Sequence, residues 1–286
     1  MFSNRKSVID RCARARLRLR ITGYPSVLRF ACFCAVLLLA GFALPAPAQQ
    51  PTPEEMSSAP KPKDPRTRAQ AHTELGSVYF QDGNLIVALE ELTLAAAIDP
   101  DYAPAFATRG LVLYYVKEFE SAEKDFRHAL DLEERNPDIN NNYGWFLCQT
   151  GRERESLQYF ERAYRNTLYQ TPANAYLNAG ACMIKLNELD EAQDALERSL
   201  RIVPDNPQAM YHLADISYRR GNFDAAKKRL GEVVRRIEPG PEVLWLLLRT
   251  ERRLGNRADE KSLATQLRRK FPESDEYQEL LKGNYQ

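Results

Sequence analysis

Four glycine residues recur at an almost constant spacing within segments that otherwise have helical patterns. They are Gly76, Gly110, Gly144 and Gly180, separated by 34, 34 and 36 residues. Glycine in the middle of a helix costs roughly 1 kcal/mol relative to alanine, so its regular return requires a packing reason. A period of this length indicates one small helical unit that is stacked several times along the chain.

Other positions repeat with the same period when windows are opened at residues 69, 103, 137, 173, 207 and 241. Small residues dominate positions 8 and 20, where they let two helices approach closely, and mostly large apolar residues fill the space beside them at position 24. Proline stands at position 32 in three windows, where it ends the helix. Position 15 lies in the turn between the two helices, and its occupants are Gly83, Lys117, Gly151, Asn187, Gly221 and Gly255.

This order of small, turn, small and large positions resembles the tetratricopeptide repeat. The resemblance covers residues 69 to about 274. It implies an all-α fold, a right-handed solenoid of six helix-turn-helix repeats that start near the six window positions. Terminal repeats need a cap, and the amphipathic pattern from Ser274 to Lys282 predicts a C-terminal capping helix. We therefore assign residues 69–286 to one tetratricopeptide repeat domain.

The first 48 residues have the pattern of a signal peptide. Eight Lys or Arg residues precede an apolar run of about fourteen residues, 31–44, and Ala46-Pro47-Ala48 follows as a cleavage site. An uncleaved membrane anchor is the alternative, although so short a run spans a bilayer poorly. Residues 49–68 are rich in proline and charge, which predicts a flexible linker. We expect the repeat domain to lie in the periplasm.

The leader contains one departure from a lipoprotein signal. Residues 39–42 read Leu-Ala-Gly-Phe, so Phe42 stands where a lipoprotein box has the cysteine that is acylated. Cys32 and Cys34 lie on the wrong side of the apolar run to replace it. Leu-Ala-Gly is also common in ordinary signal peptides, and that alternative stays open. We expect no lipid on the protein.

The formal net charge of +1 conceals two regions of opposite sign. Residues 1–50 carry eight basic residues and one acidic residue, whereas residues 51–286 carry 32 basic and 38 acidic residues. The exported part therefore has a net charge of −6. A domain of this charge is not expected to bind nucleic acid.

Two of the five cysteines lie in the repeats. Cys148 and Cys182 are 34 residues apart, on helices that the solenoid stacks side by side. They are a disulfide candidate in an oxidising compartment, and two buried thiols that pack as small apolar groups are the alternative. The three histidines, His72, His128 and His212, form no ligand spacing with them, so we expect no metal site.

The sequence contains none of the catalytic motifs we searched for. Glycine-rich phosphate loops, G-x-S-x-G and H-E-x-x-H are absent from the 286 residues. The solenoid leaves no further residues for a catalytic domain, so an enzyme-associated module is disfavoured. We expect a protein that is not an enzyme, uses no cofactor and binds other proteins along its concave surface.

The concave surface of such a solenoid is formed by positions 2, 5, 9, 12 and 13 of each first helix. In repeats 2 and 3 these positions predict an aromatic patch, and in repeats 5 and 6 they predict an arginine stripe. Large apolar side chains that face solvent indicate a binding patch, although aromatic residues at helical spacing are more often core. The predicted groove residues are Leu111, Tyr114, Tyr115, Asn141, Trp145, Arg219, Arg249, Arg252 and Arg253.

Two stretches resemble a more specific family. Residues 140–152 (NNNYGWFLCQTGR) and 169–182 (YQTPANAYLNAGAC) are similar to the type IV pilus biogenesis and stability proteins of the PilW/PilF family. That resemblance implies six repeats facing the periplasm, an outer-membrane lipoprotein, and assistance to secretin assembly or pilus stability. The implied partner is an envelope protein, the pilus secretin, with membrane contact indirect or through the leader. A general periplasmic scaffold for another envelope machine is the alternative.

Overall fold

The computed structural model describes residues 64–285. The predictions for residues 1–63, including the signal peptide and Phe42, lie outside this part. The described residues form the helices α1 Pro65–Gln81, α2 Leu85–Ile98, α3 Ala103–Tyr115, α4 Phe119–Leu132, α5 Pro137–Gln149, α6 Glu153–Arg165, α7 Pro172–Lys185, α8 Leu189–Ile202, α9 Pro207–Arg219, α10 Phe223–Val234, α11 Pro241–Arg253, α12 Arg257–Lys270 and α13 Asp275–Lys282.

The first twelve helices are arranged as six pairs. Within each pair the two helices pack against one another, and the first helix also packs on the first helix of the next pair. The second helix of a pair contacts the first helix of the next pair. We call the side formed by the first helices (α1, α3, α5, α7, α9 and α11) the inner face and the side formed by the second helices the outer face. The architecture is an all-α tetratricopeptide solenoid.

The recurring glycines lie in close contact with the second helix of their own pair. A β-carbon at Gly76 or Gly180 would lie 2.7 Å from Cγ of Leu92 or Leu196, the residues at position 24. The same β-carbon would lie 3.2 or 3.1 Å from the backbone oxygen of the residue at position 20. The structure therefore confirms that the recurring glycines allow close packing of the two helices of a pair.

The turn at position 15 requires a left-handed backbone in all six pairs. Four of the residues there are glycines with φ between 78° and 83°, and the other two are Lys117 with φ 69° and Asn187 with φ 58°. In the second pair the amide of Lys117 donates to the carbonyl of Tyr114 and the amide of Glu118 donates to the carbonyl of Leu113. These bonds satisfy helix-end carbonyls and direct the chain into α4.

The first helix begins earlier than the sequence windows indicated. It starts at Pro65, so residues 65–68 are helical rather than part of the predicted linker 49–68. Asp64 caps the helix by accepting the amide of Thr67 at 3.0 Å, and proline is well suited to the first helical position. Arg66 adds an ion pair with Asp99 at 2.6 Å. The first helices of the other pairs begin within one residue of the predicted windows.

A short helix covers the C-terminal end of the sixth pair. Ser274 caps α13 by accepting the amide of Tyr277, and Gly283 ends the helix with φ 69°. Tyr277 and Leu280 pack on a cluster that contains Trp245 and Leu267. The predicted capping helix is present. Among the described residues, none of the helices has the length and apolarity required to span a lipid bilayer.

Candidate peptide-binding groove

Three aromatic side chains pack together where α3 meets α5 on the inner face. The ring centroid of Trp145 lies 4.7 Å from that of Tyr114, edge to face, and 5.9 Å from that of Tyr115, stacked. Leu111 packs against buried residues of two neighbouring core clusters. All four side chains are partly exposed. The aromatic patch is therefore a supported surface, held in place by its own contacts and still accessible to a ligand.

A depression of about 350 Å³ adjoins the aromatic patch and crosses α5, α7 and α9. Trp145 forms one wall, and Asp215 and Arg219 form the other. The depression exists because Ala181 occupies position 9 of the fourth repeat, between the larger Trp145 and Asp215 at the same position of the flanking repeats. Its remaining apolar lining includes Cys148, Phe160, Leu177 and Ile184. The space is large enough for a side chain of a bound segment.

Amide side chains border the depression. Asn178 donates from Nδ2 to Oδ1 of Asn141 at 3.0 Å, which joins α7 to α5 across the inner face. Asn178, Gln149 and Gln208 line the depression. An extended peptide exposes unpaired N–H and C=O groups, and amide side chains both donate and accept hydrogen bonds. This chemistry suits a peptide backbone.

Charged groups lie at the ends of α7 and α9. Lys185 donates from Nζ to the carbonyl of Cys148 at 3.0 Å and to Oε1 of Gln149 at 3.3 Å. Burial lowers the pKa of Lys185, and the nearby Glu153 opposes that shift. Arg219 donates from Nε to Oδ2 of Asp215 at 2.9 Å. Lys185 and Arg219 both line the depression, and Asp215 offsets the charge of Arg219.

The wall of the depression also contains a histidine that is neutral near pH 7. Burial lowers the pKa of His212 to about 4, while Asp215 raises it and Arg219 lowers it by smaller amounts. Burial likewise raises the pKa of the adjacent Tyr211. Both side chains are therefore uncharged hydrogen-bonding groups at neutral pH.

A disulfide joins Cys148 to Cys182 at the base of this region. The sulfur atoms are 2.09 Å apart and the α-carbons 6.0 Å apart, a spacing within the usual disulfide range. The bond connects α5 to α7, the two helices that carry Trp145 and Ala181. Oγ of Ser156 lies 3.1 Å from Sγ of Cys182. The structure thus pairs the two cysteines that the repeat spacing indicated.

Comparison with known proteins identifies the family. Sequence models described as the tetratricopeptide repeat match residues 108–171 and 184–249. The type IV pilus assembly protein PilF of Pseudomonas aeruginosa is 30% identical over 210 residues, which cover 73% of this chain and 83% of PilF. The chain belongs to the PilF family. An uncharacterised protein of Haemophilus influenzae is 29% identical over 139 residues, which cover 48% of this chain and 76% of that protein.

Solved structures of the PilF family agree with this assignment. The crystal structure of PilW, a widely conserved type IV pilus biogenesis factor, is 32% identical, with a TM-score of 0.67 over 74% of this chain and 98% of that chain. The structure of Pseudomonas aeruginosa PilF is 29% identical, with a TM-score of 0.66 over 77% of this chain and 100% of that chain.

The arginines predicted as a stripe are not uniformly exposed in this PilF-family solenoid. Arg219 and Arg253 are exposed, but Arg249 and Arg252 are partly buried. Arg249 lies over the rings of Tyr218 and Trp245, and Arg252 lies 3.8 Å from the ring centroid of Tyr285. Arg252 also pairs with Glu260 at 2.6 Å, and Arg253 stacks on Phe223. The expected row of exposed arginines is therefore only partly present, because aromatic side chains partly cover Arg249 and Arg252.

The structure brings together only part of the predicted groove. Trp145 and Arg219 line the same depression, together with Cys148. Asn141 is nearly buried and acts through Asn178 rather than as a surface contact. The repeat register could have found most of the missed residues, since it assigns positions 5, 9 and 13 of repeat 4 to Leu177, Ala181 and Lys185.

No metal site competes with this interpretation in the described part of the chain. Residues 64–285 contain no cluster of three or more His, Cys, Asp or Glu side chains arranged to hold an ion. What the groove offers is an apolar depression, amide groups and a basic rim. Tetratricopeptide scaffolds of the PilF type are generally binding proteins rather than enzymes.

Proposed function

We propose that this protein is a non-enzymatic, protein-binding scaffold of type IV pilus biogenesis. Family membership carries this proposal, because the similar proteins are a type IV pilus assembly protein and a type IV pilus biogenesis factor. The binding surface is the aromatic patch (Leu111, Tyr114, Tyr115 and Trp145) together with the adjacent depression between α5 and α9.

The proposed partner is an envelope protein, the pilus secretin, which would present an extended segment to the inner face. An apolar side chain of that segment would enter the depression beside Trp145. Asn178, Gln149 and Gln208 would bind its backbone, and Lys185 and Arg219 would favour a segment that carries acidic residues. We place the protein in the periplasm, associated with the outer membrane through its partner.

Deletion of the gene in its host tests the assignment to pili. We expect loss of heat-resistant secretin multimers and of surface pili, with recovery of both when the wild-type gene is supplied. A strain that lacks the protein but retains multimers and pili at wild-type levels contradicts this role. If another envelope machine failed instead, the protein would be a scaffold for that machine.

Complementation of the deletion strain with groove variants tests whether pilus formation requires binding in the groove or only the presence of the folded protein. Ala181→Phe places a large side chain in the depression and removes no native contact of Trp145 or Arg219. Ala225→Phe adds the same side chain at an exposed position of α10 on the outer face. We expect only Ala181→Phe to fail in complementation, with both proteins present in equal amounts.

A further inference from the structure

The repeats divide into an acidic part and a basic part. Residues 64–206, which form the first four pairs, carry 14 Lys or Arg residues and 24 Asp or Glu residues, a net charge of −10. Residues 207–270, which form the last two pairs, carry 15 basic and eight acidic residues, a net charge of +7. The Debye length is about 8 Å at physiological ionic strength. A surface that contacts pairs five and six therefore experiences their local positive charge.

Some of the basic side chains in pairs five and six form ion pairs with carboxylates of the same protein, and others do not. Lys227 pairs with Glu251, Arg236 with Asp205 and Lys270 with Glu238, so a carboxylate of the protein offsets each of these charges. Five other basic side chains on the outer face of pairs five and six lie on α10, at its C-terminal end or on α12. All are exposed and none makes an ion pair within residues 64–285. They are Lys228, Arg235, Lys261, Arg268 and Arg269.

The α12 part of this surface is broad and lacks aromatic anchors. Lys261 and Arg269 flank a shallow depression of about 360 Å³, which is also lined by the short side chains of Ala258, Ser262 and Thr265. Helix α12 contains no aromatic residue. Protein interfaces usually centre on buried aromatic or arginine anchors in fitted pockets. A surface of exposed cations around short side chains instead fits a dense layer of phosphate groups.

We propose that the outer face of pairs five and six, through Lys228, Arg235, Lys261, Arg268 and Arg269, binds the headgroups of anionic phospholipids. Each Lys or Arg near an anionic bilayer adds a favourable electrostatic contribution, so five together hold the protein at the surface without insertion. The groove lies on the first helices, on the other side of each pair. Binding through the outer face therefore leaves the groove open to the periplasm.

The test is partitioning of the protein, as purified from its host, onto lipid vesicles. The charge-reversed variant carries Lys261→Glu, Arg268→Glu and Arg269→Glu. The matched control carries Lys124→Glu, Arg135→Glu and Arg201→Glu, which change the net charge equally. These three control positions are exposed and make no ion pair within residues 64–285. Because both proteins share any contribution from the N-terminal region, their difference isolates the outer face of α12.

We expect the wild type and the control to bind vesicles of phosphatidylglycerol and phosphatidylethanolamine, and to dissociate as salt is raised. The charge-reversed variant should bind at least tenfold more weakly, and a variant with glutamine at the same three positions should be intermediate. Equal partitioning of the charge-reversed variant and the control overturns the proposal. So does equal binding of the wild type to phosphatidylcholine vesicles, which would show that binding does not depend on anionic headgroups. Circular dichroism and melting temperature establish that each variant is folded.

Discussion

Gly144 in α5 lies directly against the ring of Phe160 in α6. A β-carbon at residue 144 would lie 2.9 Å from Cε1 of Phe160 and 3.2 Å from the carbonyl oxygen of Ser156. Phe160 is completely buried and part of the cluster that contains the disulfide, so the ring has little room to move. The glycines therefore recur in the sequence because the two helices of a pair approach each other closely at that position.

We predict that Gly144→Ala destabilises the protein although alanine is the better helix former. Overpacking of a filled core costs typically 1–3 kcal/mol, which exceeds the roughly 1 kcal/mol gained in helix propensity. Gly231→Ala in α10 is the matched control, because its β-carbon would meet only Nη1 of Arg235, at 3.8 Å. Urea unfolding should show a lower free energy of unfolding for Gly144→Ala and a higher one for Gly231→Ala. A stabilising Gly144→Ala would contradict the packing account.

Lys117 occupies a left-handed turn position that glycine fills in four of the other pairs. A non-glycine residue in this conformation costs roughly 1–2 kcal/mol. We therefore predict that Lys117→Gly raises the free energy of unfolding by about 1 kcal/mol, less than the full strain because glycine also increases the entropy of the unfolded chain. Asn187→Gly should gain less, since asparagine tolerates this conformation better. An unchanged or lower stability of Lys117→Gly would show that the turn is not strained.

The disulfide between Cys148 and Cys182 should be formed in protein recovered from its host. Mass spectrometry of tryptic peptides prepared without reduction should detect the linked pair, whereas two alkylatable thiols would contradict this. Closing a loop between cysteines 34 residues apart stabilises by roughly 3 to 4 kcal/mol when the unfolded chain is restricted. We expect the Cys148→Ala/Cys182→Ala protein to unfold at a correspondingly lower urea concentration, with its helix content retained.

His212 should make the protein less stable in mild acid. Its folded pKa of about 4 lies below the ordinary histidine value of 6.5, so between these values the unfolded chain binds more protons than the folded protein. Stability therefore rises with pH through this window and is lost as the pH falls. Between pH 7 and pH 5 the expected loss from His212 is on the order of 2 kcal/mol. The His212→Gln protein should show a smaller pH dependence over that interval, and an identical dependence would contradict the assignment.

The fold could be predicted from the sequence because the residues that determine it are close together along the chain and recur in each repeat. Glycine and its large partner at position 24 lie on adjacent helices of one pair, so the spacing of Gly76 and Leu92 along the chain is enough to indicate the packing. The start of α1 did not follow from the period. It depends on Asp64 and Pro65, which precede the first window and act as a single helix cap.

The groove could be predicted less completely from the sequence, because its shape depends on small side chains that leave space as well as on large side chains that fill it. Ala181 creates the depression by its small size, and an alanine in a helix carries no signal of the space beside it. The covering of Arg252 by Tyr285 could not be expected either, since it depends on how the chain after α13 returns to α11. Repeat position identifies the inner face but not which of its side chains other side chains cover.

In the proposed function, the inner face between α5 and α9 binds a segment of the pilus secretin. Removing Trp145 should weaken binding by about 1 to 2 kcal/mol if it is an anchor of the interface. However, Trp145 also packs on Tyr114 and Tyr115, so Trp145→Ala can lower stability as well. Filling the depression avoids this difficulty.

The most direct measurement is the Kd of the secretin's periplasmic region for the wild type, Ala181→Phe and Ala225→Phe, with melting temperatures measured for all three. We predict that Ala181→Phe raises the Kd at least tenfold while Ala225→Phe leaves it unchanged. A folded Ala181→Phe protein that binds the secretin with the wild-type Kd would show that the depression is not the binding site.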